Sequence, residues 1–171
     1  VLGIVLAPIV GSVINGLFVL ADQPYEIGDM IELEDGRRGF VDDITIRYTK
    51  ILTLDNTFLV VPNAQMRERD VTNFSAEDER TRLSISLLVT YEGDLDAARR
   101  LMERAARNCE DVIEGGPDIC VGSARYPAKP TCLIGAYADN GVRLVLRFWV
   151  QTPYKTPRIE SNVRGRIREN L

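Results

Sequence analysis

VLGIVLAPIVGSVINGLFVLADQPYEIGDMI, residues 1–31, is the stretch on which the reading of this chain turns. It divides between Ala21 and Asp22. Before the division, residues 1–21 carry no charge, and only Ser12 and Asn15 are distinctly polar. As an α-helix this run extends roughly 30 Å, the thickness of a bilayer's hydrocarbon core. A secretory leader would need a basic start and a small-residue cleavage site; the run has no basic start, and Asp22 stands where that site would lie. A buried helix of a soluble protein is disfavoured by the density of Gly and Pro. The run therefore predicts a membrane-spanning helix.

Its small residues have an order. Gly3, Ala7, Gly11 and Asn15 recur every four positions, and Ser12 and Gly16 form a second such pair. On a helix these rows lie on adjacent faces, and rows of small residues let membrane helices approach closely. Ile4, Val5, Ile9, Val13 and Leu17 occupy the opposite positions. Pro8 lacks an amide hydrogen and crowds the preceding turn, which predicts a bend. A span so rich in small residues implies packing against copies of itself or against spans upstream of this chain.

Beyond Pro24 the periodicity changes to that of strands. Ile31 and Leu33 alternate with Glu32 and Glu34 before the turn Glu34-Asp35-Gly36. Gly39-Phe40-Val41 follows, then Ile44, Ile46 and Tyr48 alternating with Thr45 and Arg47. Residues 50–54 lead to the turn Asp55-Asn56-Thr57, and residues 58–61 make a short apolar strand closed by Pro62-Asn63. Short strands with regular turn signals predict a small barrel or bent sheet.

These residues resemble the small-conductance mechanosensitive channel family. The resemblance is carried by Gln23-Pro24-Tyr25, Ile27-Gly28-Asp29 and Ile31, by Gly39-Phe40-Val41 with Ile44, and by Thr49, Ile51, Thr53 and Asp55. Val60-Val61-Pro62-Asn63 and Asn73-Phe74-Ser75 complete it in the right order. It implies an α+β chain in three parts: a pore-lining helix at 1–21, an Sm-like β-domain at 22–78, and a cytoplasmic α/β (ferredoxin-like) domain at 79–171 that family members usually continue. It further implies a ring-forming homo-oligomer, a heptamer, in the cell (inner) membrane, with the lipid bilayer and permeating ions and small solutes as its partners. The activity implied is a channel opened by membrane tension, with osmolyte release under hypoosmotic stress. Ile4 aligns with the family's pore constriction, and Pro8 falls near a hinge glycine. Where Gln23 stands the family often has a basic residue. Asp22, Glu26 and Asp29 cluster there instead, which predicts anionic rings at the membrane exit and a tilt towards cations. Pro24, Gly28, Asp29, Gly39, Pro62, Asn63 and Asn73 read as signatures of the fold and not as ligands.

The C-terminal part reads as strand, helix, strand, strand, helix. Leu83, Ile85, Leu87 and Val89 alternate with Ser84 and Ser86. Asp94 caps a predicted helix at 95–110, stopped by Gly115-Gly116-Pro117. Residues 118–130 give no clear signal beyond a short strand and a proline-bounded loop. Residues 132–138, the turn Asp139-Asn140-Gly141 and the alternation from Val142 to Val150 predict a hairpin, and a basic helix begins near Pro157. This order suits an α+β sandwich.

Composition excludes several classes. Residues 22–79 carry 14 acidic and 6 basic side chains while residues 80–171 carry 11 and 15, so the charge is segregated by domain. The chain has no histidine, which removes the commonest general base and metal ligand. Cys109, Cys120 and Cys132 form no CxxC pair and read as small buried hydrophobes. No Walker loop, GxGxxG, GxSxG or metal-ligand cluster is present, so no catalytic residue, cofactor or metal is expected. Asp42 and Asp43 would point to opposite faces of a strand. An Sm-like RNA-binding module is the competing reading. It suits neither the acidic β-region nor the lack of basic residues interleaved with aromatics, so no nucleic-acid partner is expected.

Overall fold

Helix α1 (Leu2–Asp22) forms from the uncharged run and continues through Pro8. Pro8 has no N–H to give the Ile4 carbonyl, so the helix loses one rung there without ending. The computed structural model describes residues 1–22, 24–75 and 77–171, and the chain falls into two compact units, Val1–Asp78 and Glu79–Leu171.

In the first unit α1 is followed by strands β1 (Met30–Leu33), β2 (Arg38–Ile44), β3 (Tyr48–Thr53) and β4 (Phe58–Pro62), then the short helix α2 (Asn63–Arg67) and strand β5 (Val71–Asn73). The first four strands form an antiparallel meander. β5 returns to pair with β1, giving the sheet order β4-β3-β2-β1-β5. This is the Sm-like β-domain expected from the sequence. Its core is Ile31, Leu33, Val41, Ile51, Val61 and Met66, joined by Tyr25 and by Val19 of α1. Gly39 sits where a Cβ would lie 2.5 Å from the Leu52 carbonyl oxygen, so the close approach of β2 to β3 there admits no side chain.

One strand is shorter than the alternation of Ile44, Ile46 and Tyr48 suggested. Residues 45–47 form a tight connection between β2 and β3. The Thr45 hydroxyl accepts from the amides of Arg47 (3.3 Å) and Tyr48 (3.1 Å), and Thr45 N–H donates to the Tyr48 carbonyl. A threonine side chain that satisfies the amides ahead of it competes with the ladder and ends the strand. β2 also carries a bulge between Val41 and Asp43. Asp42 and Asp43 are both exposed, and Asp42 pairs with Lys50 at 3.5 Å.

The second unit contains β6 (Thr81–Val89), α3 (Leu95–Arg107), β7 (Ile119–Val121), β8 (Ala124–Tyr126), β9 (Thr131–Ala138), β10 (Gly141–Val150), a single 3₁₀ turn at Pro153–Lys155, and α4 (Thr156–Glu169). The antiparallel order β6-β10-β9, with both helices on one face, gives the expected ferredoxin-like sandwich. Val142, Leu144, Leu146, Phe148 and Val150 of β10 meet Met102, Ala105 and Ala106 of α3 and Ile159, Val163 and Ile167 of α4. The period of two on the strand and of 3.6 on the helices places both stripes in one core.

Four details differ from the sequence reading. α3 ends at Arg107 with Asn108 as its C-cap, before Cys109, although Asp94 caps its start by accepting from Ala97 N–H at 2.9 Å. Residues 118–130, where the sequence signals no more than a short strand and a loop, contain the hairpin β7–β8, whose Ile119 packs with Ala128 and Trp149 on the opposite face of the sheet. The β9–β10 turn consists of Asp139 and Asn140 alone, because Gly141 already pairs with Ala138. A Cβ on Gly141 would press on the Val89 carbonyl, so glycine is needed there for close approach. Cys120 is exposed, whereas Cys109 and Cys132 are buried.

Candidate functional site

Helix α1 has two halves with different surroundings in this chain. Residues 1–10 are all exposed, Ile4 to 80%. Gly3 and Gly11 face open space, with no atom within 4 Å of a built Cβ, and Ala7 and Pro8 are exposed. The small-residue row and its apolar opposite face are therefore both exposed in the first half. The helix is apolar and long enough to cross a membrane.

The second half is fixed to the β-domain. Gly16 is buried, and a Cβ there would sit 1.9 Å from the Ile46 carbonyl oxygen. Three residues on, Val19 enters the β-domain core. On the flank, Arg67 at the end of α2 donates to Asn15 Oδ1 at 2.9 Å and lies over the Phe18 ring, 4.6 Å from its centroid. Among the described residues, Asn15 is thus the member of the Gly3–Ala7–Gly11 row that has a hydrogen-bond partner, and Gly16 serves packing of helix on loop. Arg67 and Ile46 had no motif to mark them. Only the four-residue spacing of Asn15 and Val19, which puts polar and apolar groups on one face, hinted at this contact.

Below the helix a buried polar chain holds the exit segment. Tyr25 hydroxyl and Thr49 Oγ1 are 3.1 Å apart. Thr49 Oγ1 donates to Asn63 Oδ1 at 2.9 Å, and Asn63 Nδ2 donates to the Thr45 carbonyl at 2.7 Å. Burial pushes the Tyr25 hydroxyl pKa up, partly opposed by Thr49. Pro62 closes β4 and delivers Asn63 into this chain. Asn73 is a second staple: its Nδ2 donates to Asp29 Oδ2 (3.0 Å) and to the Pro24 carbonyl (3.2 Å), and its Oδ1 accepts from Ser75 N–H (2.9 Å). Gly28 takes φ +95° in the turn, a conformation that L side chains rarely adopt.

The three acids have separate settings. Asp22 is exposed at the end of α1 and borders a groove of about 390 Å³ shared with Phe18, Arg67 and Arg69. Glu26 is exposed. Asp29 is half-buried and already accepts from Glu26 N–H at 2.9 Å as well as from Asn73. Gln23 lies outside the described residues. Among the described residues, no group of three or more His, Cys, Asp or Glu could hold a metal ion. What the site offers is an apolar helix braced at one end.

The family profile described as "Mechanosensitive ion channel, beta-domain" matches residues 8–76, and "Mechanosensitive ion channel MscS, C-terminal" matches residues 83–171. An MscS family protein of Archaeoglobus fulgidus is 28% identical over 149 residues, 87% of this chain and 48% of its own length. The large-conductance mechanosensitive channel MscMJLR of Methanocaldococcus jannaschii is 35% identical over 95 residues, 56% of this chain and 26% of its own. The crystal structure of Helicobacter pylori MscS in its closed state superposes with TM-score 0.77 at 18% identity, over 99% of this chain and 62% of that one. The chain spans about half the length of the curated relatives it matches along most of its length.

Proposed function

The chain belongs to the MscS family of mechanosensitive ion channels, and from that premise we propose that it lines and supports a membrane pore opened by tension, which releases ions and small osmolytes under hypoosmotic stress. The observation that carries this reading is the asymmetry of α1. Its first half leaves Ile4, Val5, Ile9 and Val10 exposed, while its second half is braced by Gly16, Val19 and Arg67. An apolar surface of this length needs lipid on one side and neighbouring helices on the other.

The β-domain supports assembly into a ring. Its sheet ends in two different strands, β4 and β5, neither paired on its outer side among the described residues. Phe58 and Val60 on β4 are more than half exposed. An unpaired edge with apolar side chains is a site for another chain. Joining one copy's β4 to the next copy's β5 is a head-to-tail contact, which closes into a ring when the rotation fits. Seven copies, as the family resemblance implies, would place seven α1 helices around an axis in the cell (inner) membrane, with residues 22–78 and 79–171 cytoplasmic.

In that ring Ile4 forms a hydrophobic constriction that gates by dewetting. Gly3, Ala7 and Gly11 let neighbouring helices slide past one another. Tension favours the state with the larger in-plane area, and the braced second half transmits helix movement to the β-domain. Asp22, Glu26 and Asp29 would repeat as anionic rings below the pore, and Asp22, exposed at the end of α1, is the acid best placed to favour cations. The test is extraction and sizing. Protein that leaves the membrane only with detergent and runs as a ring of identical chains supports the reading. A water-soluble monomer refutes it.

A further inference from the structure

The strands of the sheet in Glu79–Leu171 place positive charge on its outward face and contribute no carboxylate there. Strands β6, β9 and β10 contain no Asp or Glu. With the even-numbered residues of β10 in the core, Arg143, Val145, Arg147 and Trp149 face the other way. The registers place Arg82 opposite Trp149, and Arg147 between Ser84 and Thr131. Diagonal neighbours on one sheet face lie about 7–8 Å apart, so Arg82 and Arg147 share a patch. Lys129, just ahead of β9, completes it.

These three cations line one cavity of about 190 Å³ with Tyr126, Pro127, Thr131, Leu133 and Trp149, and no acidic residue contributes to its wall. Among the described residues none of the three has an ion-pair partner. Arg37, Arg38, Lys50, Arg69, Arg99, Arg107, Lys155 and Arg164 all do. Arg82 is positioned by aromatic rings instead: its guanidinium carbon is 5.3 Å from the Tyr126 centroid and 5.7 Å from that of Trp149. Cation–π contact orients a guanidinium without neutralising it or using its in-plane donors. Like charges on neighbouring strands repel, and an anion would relieve that repulsion.

We propose that this cavity binds a compact phosphate-type oxyanion, either free or as the phosphate end of a small metabolite. Arg82, Lys129 and Arg147 donate to it, with the Thr131 hydroxyl as a neutral donor. The volume lies below the roughly 300–1,000 Å³ of pockets that enclose drug-sized ligands, so only a small anion or the charged end of a larger one enters. The site lies within one unit and does not depend on the channel reading.

Trp149 is the sole tryptophan of the chain and forms part of the wall, so its fluorescence reports on the site. The full 171-residue chain in detergent is titrated with inorganic phosphate, with pyrophosphate and with chloride at matched ionic strength. Further arms use phosphatidylglycerol vesicles and duplex DNA. The expected result is a saturable change with phosphate, tighter with pyrophosphate and absent with chloride. Arg147→Gln and Lys129→Gln should each weaken binding by about 10-fold, the scale of one charge-assisted hydrogen bond. Circular dichroism, and labelling of Cys120 while buried Cys109 and Cys132 stay protected, show that the variants fold. A response shared by chloride, no saturable response, or folded variants that titrate like the parent overturns the proposal. Saturation by vesicles alone assigns the site to lipid, and by DNA alone to nucleic acid; either overturns the small-anion assignment.

Discussion

Replacing Gly16 with alanine should reverse the usual effect of that substitution in a helix. Gly→Ala in a helix interior normally stabilises by about 0.5–1 kcal/mol. At Gly16 the new Cβ would lie 1.9 Å from the Ile46 carbonyl oxygen, 2.6 Å from its carbon and 2.8 Å from the Ile46 Cα. Carbon meets a carbonyl oxygen at roughly 3.3–3.6 Å even in favourable contacts. Helix and loop must therefore separate by about 1.5 Å. The loop is braced, because Asn63 Nδ2 holds the Thr45 carbonyl and Asn63 N–H holds the Arg47 carbonyl, so the helix gives way. Overpacking of this kind costs typically about 1–3 kcal/mol. The shift also strains the Arg67–Asn15 hydrogen bond and the Arg67–Phe18 contact, the latter worth about 0.5–1 kcal/mol. Set against the gain in helix propensity, a net loss of about 0.5–3.5 kcal/mol at the junction follows. Amide hydrogen exchange over residues 13–22 in detergent reads it directly, as a fall in protection of roughly 2- to 400-fold. Gly3→Ala and Gly11→Ala, which face open space, serve as controls and should hold or increase protection. If Gly16→Ala behaves like them, the packing of α1 on the β2–β3 connection is wrong.

Three further outcomes are expected. Asn63→Ala leaves the buried Thr49 hydroxyl and the Thr45 carbonyl without a shared partner; it should cost about 1–3 kcal/mol in thermal unfolding of Val1–Asp78, whereas an unchanged melt would show that water replaces it. Phe148→Ala empties a fully buried core position and should cost about 3–5 kcal/mol in urea unfolding followed through Trp149. Burial, reinforced by Glu103 and opposed by Arg99, pushes the Cys132 thiol pKa up to about 11. The folded state therefore holds this proton more tightly than the unfolded state, whose thiol titrates near 8.5. Stability from Cys132 is full below that pH and is lost as pH rises through about 11. Urea midpoints from pH 8 upward should fall for the parent and flatten for Cys132→Ala; equal slopes would contradict the assignment.

Much of the fold was legible because burial follows period. The alternation in residues 142–150 and the Asp94 cap with the stripe behind it mark β10 and α3, and the uncharged run marks α1. The failures lie where a side chain overrides the period. Thr45 ends β2 by hydrogen bonding to the amides ahead of it, although Ile44, Ile46 and Tyr48 alternate as a strand would. β5 and α2 are too short for periodicity to register, yet β5 sets the order of the sheet. At the site, Gly28, Asn63 and Asn73 stand out in the sequence, and their hydrogen bonds and backbone angle give each a structural part. The packing of Gly16 on Ile46 and the grip of Arg67 were not, because both join residues far apart in the chain and neither carries a motif. The Arg82–Arg147 patch escaped notice for the same reason, since only strand register brings it together.

The central claim, a pore opened by tension with Ile4 at its constriction, is tested most directly by patch recording. The complete gene product is reconstituted in liposomes and suction is applied to excised patches. The expected result is stepwise current that appears above a threshold of suction, with that threshold lowered in Ile4→Asn, whose polar side chain wets the constriction. Patches that contain the protein yet stay silent up to rupture would contradict the channel reading. Suction-activated current with an unchanged threshold in Ile4→Asn would contradict the place of Ile4 in it.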